Sequence, residues 1–327
     1  MITRDLFNEV LIKPISLGAN KLCIVSGYAA SAMAFRHLSR IQELGRPVSV
    51  ELIVGMSASD GISLTNHKGF QKLVTEDFAG RFQCAYIHRP PSVHSKVYVW
   101  LKDDQPFKAF AGSANYTQRA FGRQRETLVP CDAAAGYEYY DSLTPETIYC
   151  EHNDAELLVQ IYNDKEILRR KEAAAASEES EIQQTASGFE SLDALPRRCV
   201  SFLANNGTLP QTSGLNWGQR KGREPNQAYI KLPASVYNTD FFPPIAVHFT
   251  VLTDDNKVMI CTRAQQHGKA IHTPHNNSEI GVYFRQRLGV RLGNAVRRGD
   301  LENYGRTEVC FYKIDDETYF MDFNNAV

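Results

Sequence analysis

In the stretch VHSKVYVW, His94 and Lys96 stand two residues apart inside a run that alternates as a β-strand does. Positions i and i+2 of a strand face the same way, so the spacing sets an imidazole beside an ammonium. Further along, AGSANYTQRAF offers Ser113 and Asn115 at the same spacing, just after Gly112, where the missing side chain lets backbone approach a ligand. A cation, two neutral hydrogen-bonding groups and a nucleophilic nitrogen on neighbouring strand ends compose a phosphate site. Arg119, Arg123 and Arg125 add a second basic cluster. Glu126 then opens the next strand, where a carboxylate can orient an imidazole and stabilise its cationic form. The remaining histidines carry less. His37, His67, His88 and His152 lack such partners and read as surface or packing residues. His272 and His275 approach metal-ligand spacing, but no second pair completes a site, and no metal is expected.

The elements that must position these residues are legible from periodicity. NKLCIVSGYAA and PVSVELIVGM are short β-rich apolar runs ended by glycine, and between them SAMAFRHLSRIQEL has helical spacing. Strand, helix, strand is the rhythm of an α/β domain. FQCAYI, SKVYVWL, FKAFAGS and ETLVPC extend the series of strands, and DAELLVQIYNDKEILRRKE has the pattern of an amphipathic helix. KEAAAASEESEIQQTASGFES then holds almost nothing large to bury and reads as a connector. Beyond it AYIKLP, PIAVHFTVLT, KVMICTRA, EVCFYKI and ETYFMDF alternate with turns such as TDDNK and IDDET, the mark of a mostly-β barrel or sandwich. The expected organisation is an α/β domain over 1–175, a connector over 176–193 and a mostly-β domain over 194–327.

Length and charge agree with two domains. The chain has 327 residues and a net charge of -1. That neutrality hides an asymmetry: residues 1–193 hold 20 Lys and Arg against 25 Asp and Glu, a balance of −5, and the remainder balances at +4. A basic second half suits an anionic partner. The seven cysteines are odd in number and widely spread without a CxxC pair, so buried free thiols are expected rather than disulfides or a zinc ribbon. No leader and no apolar run of membrane-spanning length is present, which points to a soluble, cytoplasmic protein.

HSK followed by GSAN resembles the HxK…GSxN signature of the phospholipase D superfamily. The resemblance implies an α/β fold with a mixed sheet flanked by helices. It also implies a metal-independent attack on a phosphodiester that forms a covalent phosphohistidine. His94 would be the nucleophile, Lys96 and Asn115 phosphate ligands, and Ser113 a supporting hydrogen bond. The acidic residue usual five positions after the lysine is replaced by Leu101, and Glu126 is the candidate to stand in for it. The signature occurs once, and single-copy members resemble half-enzymes whose two-fold dimer brings both histidines to one phosphate. No cofactor is expected.

The second half chooses among phosphodiesters. NWGQRKGREPNQAYIKLP and GVYFRQRLGVRLGNAVRRGDLENYGRTEVCFYKID read as loop-like segments rich in Arg, Lys, Asn, Gln and Gly, residue types that recognise phosphates and base edges. They resemble the B3-like DNA-recognition domain of certain restriction endonucleases, a pseudobarrel whose two arms grip the major groove. LNWGQRKGREPN would be the first arm, with Trp217, Gln219, Arg220, Lys221 and Arg223 as contacts. RLGNAVRRGD would be the second, with Asn294, Arg297 and Arg298. Together the resemblances imply a homodimeric, sequence-specific endonuclease acting on double-stranded DNA. Some relatives work with a separate ATP-dependent helicase-like subunit, and no nucleotide-binding P-loop lies in this chain. The competing readings are a nonspecific nuclease or phospholipid phosphodiesterase, and a non-catalytic DNA-binding module.

Overall fold

A computed structural model describes residues 1–162 and 195–325. The chain divides into two compact units, Met1–Asp164 and Lys165–Val327. The connector expected over 176–193 lies outside the described residues.

The first unit is built on strands β1 (Lys21–Ser26), β2 (Ser49–Val54), β4 (Phe82–Ile87), β5 (Lys96–Lys102), β6 (Gln105–Gly112), β7 (Leu128–Cys131) and β8 (Thr147–Tyr149). They form one sheet in the order β7-β6-β5-β1-β2-β4-β8. The β1–β2 and β2–β4 pairs are parallel and the others antiparallel, so the sheet is mixed. The central strands are apolar on both faces because helices cover them. The helix Ser31–Glu43 buries Met33, Phe35, Leu38 and Ile41 as its spacing requires, and Ala133–Leu143 covers Cys23, Val97 and Val99.

One buried polar group in this unit carries a pH dependence. His37 is fully buried, with Nδ1 2.8 Å from the Tyr116 hydroxyl and Nε2 3.2 Å from the Leu11 carbonyl oxygen. Burial pushes its imidazole down to about 4, so the folded chain keeps it neutral. An unfolded histidine takes up its proton near pH ~6.5. Between the two values only the unfolded state binds the proton, so acidification across that window removes stability. The full effect is on the order of 3 kcal/mol. We expect thermal melts of the first unit to fall from pH ~6.5 toward ~4, and to fall less steeply in His37→Gln; parallel slopes would assign the loss to other groups.

The second unit is the mostly-β half. Strands β10 (Arg197–Ser201), β11 (Ile230–Lys231), β12 (His248–Thr253), β13 (Val258–Ala264), β14 (Ala270–His272), β15 (Glu308–Lys313) and β16 (Thr318–Asp322) form a sheet in the order β10-β15-β16-β12-β13-β14-β11. The sheet is a nearly closed pseudobarrel around Phe242, Phe249, Phe284, Phe311, Tyr319 and Phe323. The segments TDDNK and IDDET make the β12–β13 and β15–β16 hairpin turns. No helix among the described residues is long and apolar enough to cross a membrane.

Three expectations are corrected. The run 154–172 opens with a helix of only four residues, Ala155–Leu158, and then enters strand β9 (Ile161–Tyr162). That strand pairs with β3 (Ile62–Ser63), burying Val159 and Tyr162 while Leu157 and Leu158 face outward. Pairing with a distant strand outweighs local helical periodicity. The residues after Tyr162 in this run lie outside the described ones.

The second correction concerns the cysteines. Cys199 and Cys310 form a disulfide, because the β10–β15 register sets them directly opposite one another. Their separation of 111 residues gives sequence spacing no means of showing it. Cys131 is exposed, and Cys23, Cys84, Cys150 and Cys261 are the buried free thiols expected. Glu308 completes a group of three potential metal ligands with this pair, but the Arg197 and Arg306 guanidinium groups donate to Cys310 Sγ and make the surroundings cationic. Third, the segment read as loop from Gly281 onward contains helices Glu279–Leu288 and Arg298–Tyr304, ended by Gly289 and Gly305 in the left-handed conformation, and the second proposed arm runs from the gap between them into the first turn of the second.

Candidate active site

The site residues gather where strands end rather than along them. Strand β5 begins at Lys96, so His94 lies in the segment before it and is exposed, whereas Lys96 is only 7% exposed. The two still meet. Lys96 Nζ is 3.2 Å from His94 Nε2 and donates to the His94 carbonyl oxygen at 2.6 Å. An ammonium can only donate, so Nε2 accepts and the imidazole proton sits on Nδ1. The Nε2 lone pair and the ammonium therefore face one another. Burial pushes the Lys96 ammonium below the usual lysine range, and the nearby Glu126 carboxylate opposes that shift.

Ser113 and Asn115 follow β6, likewise outside a strand, and they turn to different partners. Ser113 Oγ donates to the Glu126 carboxylate and accepts from the Thr127 amide at 3.0 Å. Asn115 Oδ1 accepts from the Tyr28 amide at 3.1 Å and from Ser26 Oγ at 3.5 Å. With its oxygen held, Asn115 has its amide nitrogen free to donate to an anion. Glu126 thus bonds Ser113 where an imidazole partner was expected, and β7 begins only at Leu128. Leu101, where the superfamily usually has its acid, is 1% exposed and packs in the core beside Val97 and Val99.

Several residues of this site escaped the sequence. Gly27 ends β1 against His94, since a Cβ there would lie 2.9 Å from His94 Cδ2. At Gly55 a Cβ would lie 2.0 Å from the Val93 carbonyl oxygen, so any side chain would displace the segment bearing His94. The two parallel strands β1 and β2 therefore end in glycines that give this segment room. Tyr28 sets its ring edge-on to His94 with centroids 5.8 Å apart and donates its hydroxyl to Asp60 at 2.5 Å. Burial and the Asp60 bond push that hydroxyl up to about 12. The glycine after each apolar run was visible in the sequence, but its neighbour was not.

In the second unit the proposed contacts divide into presented and occupied side chains. Arg220, Lys221, Arg223, Asn294, Arg297 and Arg298 are exposed. Arg223 stacks on Trp217 at 3.8 Å and donates to Gln227 Oε1 at 3.0 Å, which fixes its planar fork in advance. Arg298 is held by Glu302 at 2.7 Å and by the Gly207 carbonyl oxygen at 2.8 Å. Gln219 is half-buried and spends its amide nitrogen on the carbonyls of Pro225 and Gly293.

Comparison with known proteins agrees with this division. Residues 4–157 match the model of the NgoFVII restriction endonuclease N-terminal PLD domain, and residues 192–315 match that of the NgoFVII C-terminal B3-like DNA-binding domain. None of the curated proteins compared matches the chain. Among solved structures, NucT from Helicobacter pylori aligns at 19% identity and a TM-score of 0.33, over 45% of this chain and 91% of its own. A polyphosphate kinase from Porphyromonas gingivalis aligns at 14% identity and a TM-score of 0.30, over 54% of this chain and 28% of its own. Taken together, the two domain matches place the pair His94–Lys96 inside a phospholipase D domain and the two arms inside a B3-like one. The chain belongs to the NgoFVII restriction endonuclease family.

Proposed function

We propose that the protein cuts double-stranded DNA at a defined sequence, by metal-independent attack of His94 on the scissile phosphorus, in an active site completed by a second copy of the chain. The convergence of His94 Nε2 and Lys96 Nζ at 3.2 Å carries the reading. A phosphate placed there meets a neutral nitrogen nucleophile, a buried cation and the Asn115 amide. Attack forms the N–P bond and breaks the P–O bond, and the leaving oxygen takes a proton. The His94 of a second chain, in its protonated form, is the group to give it, since this chain's own imidazole becomes bonded to phosphorus. Water then attacks phosphorus, forming a P–O bond and breaking the N–P bond, and gives its proton to the second chain's His94, which restores the enzyme. The positive charge of Lys96 stabilises the transition state, where phosphate charge is greatest.

Incubation of a plasmid of known sequence with the protein in excess EDTA tests this reading. Discrete fragments support it. A smear indicates a nonspecific nuclease, and cutting restored only by a divalent cation indicates a metal-dependent one.

The arms supply the sequence preference in this reading. Arg223, preorganised on Trp217, is the base reader. Arg223→Ala should cost about 1–3 kcal/mol and relax discrimination at a single position. Lys221, exposed and flexible, is a phosphate contact. Lys221→Ala should weaken all duplexes alike and lower the slope of log affinity against log salt by about 1. Binding measured across a set of single-position variants of the site separates the two patterns; equal losses on all duplexes for both variants would mean the arm holds DNA without reading it.

A further inference from the structure

Arg285 is the largest charged side chain fully buried in the second unit, with 0% exposure. It projects from the helix Glu279–Leu288 and makes four hydrogen bonds, all to backbone carbonyls. Nε donates to Asn294 at 2.8 Å, one Nη to Gly281 at 3.1 Å, and the other to Leu215 and Pro225 at 3.3 Å each. Leu215 and Pro225 stand near the two ends of the first arm, and Asn294 stands in the second. One guanidinium therefore touches both.

Other polar contacts sew the same seam. Asn216 donates to the Val296 carbonyl at 2.8 Å and accepts from the Val296 amide at 2.8 Å. The Asn226 side chain accepts from the Gly293 amide at 2.7 Å, and Gln219 reaches the Gly293 carbonyl at 3.2 Å. The helix that carries Arg285 lies hard against the first arm, for a Cβ at Gly281 would fall 1.7 Å from the Asn226 carbonyl oxygen.

A buried cation without a carboxylate partner is a poor device for stability alone, because its desolvation exceeds what carbonyls return and an apolar side chain of similar size often does better. Among the described residues Arg285 makes no ion pair with a carboxylate. Burial pushes its guanidinium below the usual arginine range, with Glu224 opposing, so the site tolerates the charge at a cost. What arginine alone supplies is a rigid planar fork with donors in several fixed directions. That fork matches three separate backbone segments at once.

We propose that Arg285 is a positioning residue for DNA recognition: it locks the two arms into one rigid unit and so fixes the distance between the bases they read. The inference rests on the reading of the arms as the DNA-recognising elements. Neither Arg285 nor Asn216 touches DNA in it; both act through the exposed residues of the arms. An arm displaced relative to its partner loses its base contacts but keeps its basic side chains for phosphates. Specific binding should therefore fall while nonspecific binding survives.

The test uses the full chain in a His94→Ala background, so that DNA stays intact, and two duplexes: one bearing the site mapped by cleavage, one with that site scrambled. The ratio of the two affinities is measured well below the melting temperature of each variant. Arg285→Lys keeps the charge but loses the fork, Arg285→Met keeps the bulk and loses both, and Asn216→Ala opens the seam elsewhere. In the folded variants the ratio should drop by about 10²-fold, the equivalent of one or two misread base pairs. Affinity for the scrambled duplex and its salt slope should stay within about three-fold of the parent, since phosphate contacts remain. Should Arg285→Met fail to fold, Arg285→Lys and Asn216→Ala carry the same expectation. An unchanged ratio in these folded variants overturns the proposal while leaving the arms as readers. A parent that does not distinguish the two duplexes overturns the reading of the arms, and the proposal with it.

Discussion

Replacing His94 with alanine should abolish cleavage while specific DNA binding stays within a few-fold of the wild type. In the proposed mechanism the substitution removes the atom that bonds phosphorus, and the groups proposed to read sequence lie in the other unit. His94 is also exposed and sits outside a strand, so its loss opens no core cavity. The neighbouring ligands give smaller but severe effects. Lys96→Ala and Asn115→Ala should each lower the cleavage rate by about 10²–10³-fold, the cost of one ligand that strengthens as charge develops on the phosphate. Lys96→Ala carries an added cost in packing, because its stem is buried beside β1 through the Ser26–Lys96 register pair. Single-turnover cleavage on a defined duplex, with binding measured in parallel, checks all three. Normal cleavage by His94→Ala would end the phosphohistidine mechanism for this protein.

Mixing wild-type chains with an excess of His94→Ala chains should lower activity as the square of the wild-type fraction. The reason is the proton. A nucleophile bonded to phosphorus cannot also protonate the leaving oxygen, and that protonation is worth about 10²–10⁴-fold in rate. With one HxK…GSxN signature per chain, the second imidazole in the proposed mechanism comes from a second copy across a two-fold axis. A mixed dimer would then hold one His94 and be inactive. Such an interface is isologous and should be obligate, burying on the order of 2,000 Å² or more. The chains are best mixed by co-expression or by unfolding and refolding, so that subunits redistribute at random. A linear fall would show that each chain holds a complete site, and would direct attention to the Tyr28–Asp60 pair beside His94 as the source of the acid.

Tertiary structure altered the candidate site most where groups are brought in from elsewhere in the chain. Nothing in the spacing of Glu126 distinguishes an imidazole partner from a serine partner; the sheet decided for Ser113 by setting β6 beside β7. Tyr28 enters because β1 ends next to the segment before β5, and its amide, ring and hydroxyl then serve Asn115, His94 and Asp60 in turn. Gln219 looked like a base reader by type, but its amide is occupied within the arm and across to Gly293. Arg285 looked like one more basic residue in a basic segment. It turned out to be buried, because helical periodicity places it on the same face as Gly281, four residues before it, rather than with the exposed arm.

The sequence by itself determined whatever depends on local pattern. Alternating and apolar runs specified most strands of both units, since side-chain period follows directly from backbone geometry. HxK and GSxN named the candidate reacting residues because their chemistry lies in residue type and short spacing, which survive without coordinates. The composition of the basic loops marked the second unit as the one that meets an anion. Tertiary structure alone decided what depends on contacts between distant segments. It paired Ile161–Tyr162 with Ile62–Ser63 in place of a long helix, and set Cys199 against Cys310 across a strand register. It also gathered two arms about one buried guanidinium. Each of these is a choice among partners far apart in the chain, made by burial and by the demand that every enclosed polar group find a mate.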